Sequence, residues 1–309
     1  MILKLNQGVL YRLGLSVGIV LAYLALSYIV IGFKTDQLYL SALFFLCFNA
    51  HEVSRKLIIG FSIFIIYWIV FDYMKAFPNY NYNEVRIESL YLFEKQLFGF
   101  NYEGQLITPN EFFALHSKTF WDVACGFFYL TWIPIPLGFA MYLFFKNKSL
   151  FVDFSATFLL VNLIGFVVYY IYPAAPPWYV QQFGFEFNPN TQGNTAGLSR
   201  FDAFFGIPVF KSLYEKSSNV FAAMPSLHSS YPVIVFYYGL KNKLGKINIL
   251  FFISMVGIWF SAVYSSHHYV LDVLFGILTA CVGISLYNFF NNRKGTLIFF
   301  KQKMFLYIK

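Results

Sequence analysis

Leu13 to Phe33 reads LGLSVGIVLAYLALSYIVIGF, 21 residues without a charge. A helix crossing about 30 Å of hydrocarbon needs roughly 20 mostly apolar residues, so this stretch spans a bilayer. It is longer than the apolar stretch of a signal peptide and lacks a small-residue cleavage site, so it stays in the mature chain. Working outward, further spans are expected at Leu57 to Phe77, Trp121 to Phe145, Phe154 to Tyr172, Met224 to Leu240, Ile247 to Tyr264 and Tyr269 to Phe290. Leu38 to Ala50 is apolar but covers only about 20 Å at 1.5 Å per residue. It either crosses with help from its flanks or dips in and returns. The fold class is all-α, a polytopic transmembrane helix bundle of about 7–8 spans.

Composition agrees. Charged residues are 12% and hydrophobic ones 59% of 309, against about 25% charged in soluble chains. An aromatic content of 23% excludes disorder and collagen-like repeats. The net charge of +8 would invite nucleic acid as a partner in a soluble protein. Here topology accounts for it: if Leu38 to Ala50 crosses, the inner side carries 14 Lys or Arg and only Glu52 and Asp153 as acids. That is the bias of cytoplasmic loops. Cys47, Cys125 and Cys281 each lie in an apolar run and read as buried thiols without a disulfide framework or zinc spacing.

The same map puts two polar stretches, 78–120 and 173–220, on the outer side. Loops this long are usually functional or disordered. Within the first, Glu88 to Phe100 places Leu90, Phe93, Leu97 and Phe98 near helical spacing, which suits a helix lying along the interface or packed on the bundle.

Chemistry concentrates at the outer ends of the last spans. Of five histidines, His228 falls in Ala-Ala-Met-Pro-Ser-Leu-His, while His267 and His268 open the final span in Ser-Ser-His-His-Tyr-Val-Leu-Asp. His51 and His116 read as structural or interfacial. Ionisable groups at a membrane span default to a functional reading. Asp272 follows His268 by four residues, so on a helix its carboxylate would reach an imidazole nitrogen. A neutral imidazole held by a carboxylate is an activated nucleophile, and His228 on another helix is placed as general acid and base. Pro225 and Ser226 would start that helix, where free N–H groups favour phosphate.

Pro-Ser-Leu-His, followed some forty residues later by His-x-x-x-Asp, resembles the type 2 phosphatidic acid phosphatase superfamily. With Tyr-Pro-Ala-Ala-Pro-Pro-Trp at Tyr172 to Trp178, the chain resembles more narrowly the Aur-type inositol phosphorylceramide synthase, or inositolphosphotransferase, branch, over roughly Asp72 to Phe290. The resemblance implies a six-helix catalytic core and transfer through a phosphohistidine. His268 would be the nucleophile, Asp272 its orienting partner, His228 the acid and base, and Ser226 a phosphate contact, with no metal and no cofactor required. Residues 1–56 are then N-terminal membrane segments, 57–290 the catalytic core and 291–309 a basic cytoplasmic tail.

The wider superfamily usually carries a Lys-x6-Arg-Pro motif and an Arg six residues before the nucleophile. This chain has no Arg-Pro, and its residue at the second position is Ala262. Phosphoryl transfer still needs positive charge or oriented donors on the equatorial oxygens. Arg200, Lys211, Lys216, Lys75, Arg86 and His267 are the outer-side candidates, with Arg200 and His267 favoured. Tyr172 and Trp178 would contact substrate or merely mark a rigid helix exit.

The leading expectation is a membrane phosphotransferase that moves a phosphoinositol-like group from a phospholipid donor to a lipid hydroxyl such as ceramide or diacylglycerol. The active site would be on the extracytoplasmic or lumenal face, and in a prokaryote the membrane would be the inner one. A lipid phosphate phosphatase would use water with the same residues. A lipid carrier, and a metal site built from His228, His268 and Asp272, are the remaining alternatives.

Overall fold

A computed structural model describes residues 2–214, 219–293 and 296–309. Helix α1 (Ile2–Ile31) pairs with α2 (Thr35–Ala50), and α3 (Glu52–Gly60) continues into α4 (Ser62–Tyr73) across a 48° bend. An outer segment follows: α5 (Glu88–Phe98), a small hairpin of β1 (Phe100–Tyr102) and β2 (Gln105–Ile107), and α6 (Pro109–Leu115). Helices α7 (Thr119–Leu130), α8 (Pro134–Lys146) and α9 (Lys148–Ile171) return through the bundle. The second outer segment holds α10 (Pro177–Phe183), α11 (Ser199–Phe205) and α12 (Val209–Tyr214). Last come α13 (Leu227–Lys241), α14 (Ile247–Tyr264), α15 (Val270–Asn291) and α16 (Thr296–Ile308).

The protein is an all-α polytopic bundle. Among the described residues, five helical stretches are long and apolar enough to cross a membrane, or six with the bent α3–α4 unit. The stretch 119–146 takes in both α7 and α8. Helices α2 and α13 have 16 and 15 residues, about 24 and 22 Å at 1.5 Å each. They fall below that length but pack alongside the longer rods, α2 on α1 and α13 on α9, α14 and α15.

The centre is α9, α13 and α15. Without a hydrophobic force between helices in lipid, close packing depends on small residues. Helix α15 turns Gly276, Ala280 and Gly283 inward. At Gly276 a Cβ would strike the backbone carbonyl of Ser226, and at Gly283 the side chain of Val161. The start of α13 is thereby seated directly on α15, which brings the two histidine motifs together.

Two expectations change. Cys125 is buried, but Cys47 is only half-buried and Cys281 is exposed, because the outer face of α15 is one of the surfaces turned away from the bundle. The Glu88 to Phe100 run ends as a helix at Phe98 and does not present one apolar face: Leu90 and Glu94 are enclosed, whereas Phe93 and Leu97 are about half exposed. The basic tail also carries a helix. Its helix α16 packs on α3 and α9, with Lys301 Nζ 2.6 Å from Asp153 Oδ1 and Lys148 Nζ donating to the Ile308 carbonyl at 2.6 Å. Lys294 lies outside the described residues.

Candidate active site

Two tight backbone features deliver the histidines. Ser226 caps α13, accepting from Ser229 N at 3.3 Å, which puts His228 in the first turn. Between α14 and α15 the chain turns through Ser266, held at φ 58°. A side chain in that left-handed region costs about 1–2 kcal/mol, and such strain persists only where the surroundings over-determine it. They do so here: the Ser266 carbonyl accepts from Trp178 N at 3.1 Å, and Gln181 Nε2 donates to its hydroxyl at 3.1 Å. The N–H groups of His267 and His268 both donate to the Ala262 carbonyl, at 3.1 and 3.0 Å.

His268 therefore precedes α15, whose N-cap is Tyr269, and is not part of the helix. Its Nδ1 nevertheless stands 3.6 Å from Asp272 Oδ2, which also accepts from Tyr269 N at 2.8 Å. His268 Nδ1 and Asp272 Oδ1 are both buried without a hydrogen-bond partner among the described residues. From the other ring edge, His268 Nε2 lies 3.2 Å from His228 Nδ1. If Asp272 takes the Nδ1 proton, Nε2 keeps its lone pair and His228 Nδ1–H is the donor. Tyr129 Oη, 3.0 Å from that same Nδ1, and the Trp132 ring, packed edge-on with centroids 4.4 Å apart, hold His228.

A cavity of about 650 Å³ opens onto both imidazoles. Its wall near them includes Trp132, Trp178, Asn194, Asn219, Tyr214 and His267. Farther along, Tyr67, Trp68, Phe71 and Leu40 make it apolar, and Lys34, Asp36, Asp72 and Lys75 line it with charge. Lys75 pairs with Asp72 at 2.7 Å. Tyr231, also on the wall, donates to Asn162 at 2.6 Å and meets Tyr67 Oη at 3.0 Å, so α4, α9 and α13 share one polar contact below the site.

Several expected contacts lie elsewhere. Ser226 is fully buried as a cap and is not on the cavity wall. Arg200 is bonded through Nε to Asp122 and lies over the Tyr264 ring, 5.4 Å from its centroid, away from the cavity. The reason is local: α11 packs on α7, which carries Asp122, and Tyr264 Oη donates to the same carboxylate oxygen at 2.8 Å. Ala262 is fully enclosed in an apolar cluster with Tyr129, Leu198, Phe201 and Phe210, so the position of the usual Arg is dry. Tyr172 packs with Leu90, Met224 and Tyr269, off the wall. Its segment is a brace: Ala174 N donates to the Phe221 carbonyl and Ala223 N to the Ala174 carbonyl, leading the chain to His228. Trp178 does line the cavity. His267 does too, its Nε2–H donating to the Thr195 carbonyl at 2.8 Å, its ring stacked on Tyr214. Arg86 pairs with Glu84, and Lys216 lies outside the described residues. His268 offers opposite ring edges to His228 and Asp272, so the three do not converge as metal ligands.

The sequence reading missed four polar residues, three of them fully buried. Asn219, a residue of the cavity wall, accepts from Phe221 N through Oδ1 at 3.2 Å, and its Nδ2 has no partner among the described residues. The other three are anchors from the first outer segment, each tying two distant backbone groups. Asn79 Nδ2 donates to the Tyr169 and Phe221 carbonyls, both at 2.8 Å. Asn110 Nδ2 donates to Val263 and His268 carbonyls at 2.8 and 3.0 Å. Glu94 accepts from Val270 N and Leu271 N at 2.9 and 3.0 Å. No spacing rule exposes them, since each bonds across more than 85 residues.

Comparison with known proteins now bears on this geometry. The family model for the PAP2 superfamily matches residues 90–286, well over half the chain, from α5 through most of α15. The chain belongs to the PAP2 superfamily. It is 45% identical over 272 residues to phosphoinositol dihydroceramide synthase of Bacteroides thetaiotaomicron, covering 87% of this chain and 89% of that protein. It is 33% identical over 126 residues to the inositol phosphorylceramide synthase catalytic subunit AUR1 of Saccharomyces cerevisiae, covering 40% of this chain and 30% of the relative. The inositol phosphorylceramide synthase of Candida albicans is 29% identical, over 48% of this chain and 33% of its own length. No solved structure matches. The PAP2 stretch contains His228, His267, His268 and Asp272, together with the anchors Glu94 and Asn110. Helices α1 to α4 precede it yet contribute Tyr23, Leu40, Tyr67 and Phe71 to the cavity.

Proposed function

We propose that this protein is an integral membrane phosphotransferase that moves phosphoinositol from a phospholipid to the hydroxyl of a ceramide-type lipid, through a phosphohistidine on its extracytoplasmic face. The observation that carries this reading is the pair of opposed imidazoles, 3.2 Å apart, at one end of a cavity large and apolar enough for lipid chains. The 45% identity over most of both chains to a phosphoinositol dihydroceramide synthase supports the choice of headgroup and acceptor.

In the first half-reaction phosphorus enters between the rings and His268 Nε2 attacks it. The phosphorus–oxygen bond to diacylglycerol breaks, and His228 gives its proton to the departing alkoxide. In the second half His228 takes the proton of the acceptor hydroxyl, whose oxygen attacks phosphorus and displaces His268. Asp272 holds His268 and balances the positive charge that develops on its ring. Asn219, on the wall with its Nδ2 unpaired among the described residues, is suited to donate to the equatorial oxygens, the task the missing arginines perform elsewhere.

Purified protein supplied with inositol-labelled phosphatidylinositol, with and without ceramide, tests the reaction class. Label should pass to ceramide. Release of inositol phosphate to water in both samples, with no labelled ceramide, would replace the transferase with a lipid phosphodiester hydrolase. His228→Ala is expected to slow donors with poor leaving groups by about 10²- to 10⁴-fold and donors with activated leaving groups far less. Equal losses for both would remove its role as acid.

The orientation rests on charge: Lys146, Lys148, Lys241, Lys243 and Lys246 sit at the end of the bundle opposite His228 and His268. In a cysteine-free background, Asn190→Cys, an exposed loop position, should react with an impermeant maleimide in intact cells or spheroplasts. Reaction only after lysis would invert the topology.

A further inference from the structure

We infer that Glu94 is a positioning residue for the transfer reaction, fixing the first turn of α15 and thereby the separation of His268 from Asp272. The inference rests on the roles proposed above for those two residues. The first N–H groups of a helix have no partner within it. Here they are divided between two carboxylates: Tyr269 N donates to Asp272, and Val270 N and Leu271 N donate to Glu94, at 2.8, 2.9 and 3.0 Å. Asp272 thus holds the turn from within and Glu94 from outside, 176 residues earlier in the chain. Asn110 bonds the His268 carbonyl at 3.0 Å and fixes the adjoining peptide.

A cap alone could be made by any solvent-facing Ser or Asp within the helix. This one is a fully enclosed carboxylate, a costly choice unless the group is well paired. Around it stand Asp272 and Tyr269 of α15, Tyr91 on its own helix, and Glu111 and Lys95, which both bond Tyr91 Oη. Burial is the main cause that pushes the Glu94 carboxyl up to about 7, the Val270 and Leu271 bonds pull it down, and the nearby Asp272 adds to the rise. Ionised, Glu94 accepts from both N–H groups with full charge. Protonated, it gives one oxygen to a hydrogen and weakens the grip. The two-handed hold is thus complete above about 7 and lost as pH falls through it.

Glu94→Gln keeps the shape but offers one acceptor and an NH2 that opposes the second N–H, and Glu94→Ala removes both. Each is made in the full-length protein and checked for folding by its elution in detergent. With saturating lipids, kcat should fall about tenfold in Gln and about 10²-fold in Ala, with the KM of donor and acceptor changed less than about threefold. The limb of the pH–rate profile near 7 should vanish in Gln. Single-turnover labelling of His268 from labelled donor should slow in step with kcat. If KM rises while kcat holds, or the limb stays in Gln, Glu94 has no positioning role. Wild-type protein that transfers, and a His268→Ala variant that does not, would leave the proposed reaction standing in that event. A wild type that forms no labelled histidine would instead remove the reaction itself.

Discussion

Replacing His268 with Ala is expected to abolish transfer, lowering kcat by about 10⁴-fold or more, equivalent to roughly 5.5 kcal/mol of lost barrier reduction. No other group can take over. The neighbouring nucleophile, His228, is held by Tyr129 and Trp132, and its Nδ1 faces His268 from the leaving-group side. The protein should keep its fold, because the bundle is held by the packing of α9, α13 and α15, while the His268 ring bonds His228 and stands 3.6 Å from Asp272. The measurement is twofold: transfer of labelled inositol phosphate to ceramide, and retention of an acid-labile label on the protein after a single turnover. A variant that keeps even a tenth of the wild-type rate would mean that phosphorus is never bonded to this residue.

Asp272→Asn should cost about 10³-fold in kcat while preserving the fold. The amide oxygen can replace Oδ2, keeping the Tyr269 N–H bond and the contact with His268 Nδ1. The amide nitrogen then occupies the place of Oδ1, a buried site without a hydrogen-bond partner, and the negative charge opposite the developing imidazolium is gone. The loss should fall on kcat, since Asp272 is off the cavity wall and touches neither lipid. An unchanged rate would reduce Asp272 to a helix cap.

How far the site could be read in advance depended on the range of each interaction. The two His motifs were legible because their spacing is short and their chemistry rare in a membrane. Even so, the expected helical i, i+4 pair is formed from just outside the helix, by a strained turn at Ser266 that no periodicity describes. Arg200 was a reasonable candidate clamp by charge and side of the membrane, but Asp122 and Tyr264 claim it from α7 and α14. Ser226 caps a helix as expected, and that task with its burial removes it from the cavity. Glu94 carries no local signal in the sequence, and its enclosure beneath α15 follows from a contact 176 residues away.

Hydropathy, charge bias and the order of three short motifs were sufficient, by themselves, for a helical membrane bundle and the PAP2 resemblance, and for the expectation of a histidine chemistry at its outer rim. Bilayer thickness and the desolvation of charge act on each segment separately, so they are written locally in the chain. The tertiary structure alone decided which polar groups face the cavity, which of them serve only as braces, and that helices before the PAP2 stretch complete its wall. Those outcomes depend on pairs of groups brought together from distant residues, where a buried donor must find an acceptor wherever the packing of α9, α13 and α15 leaves one.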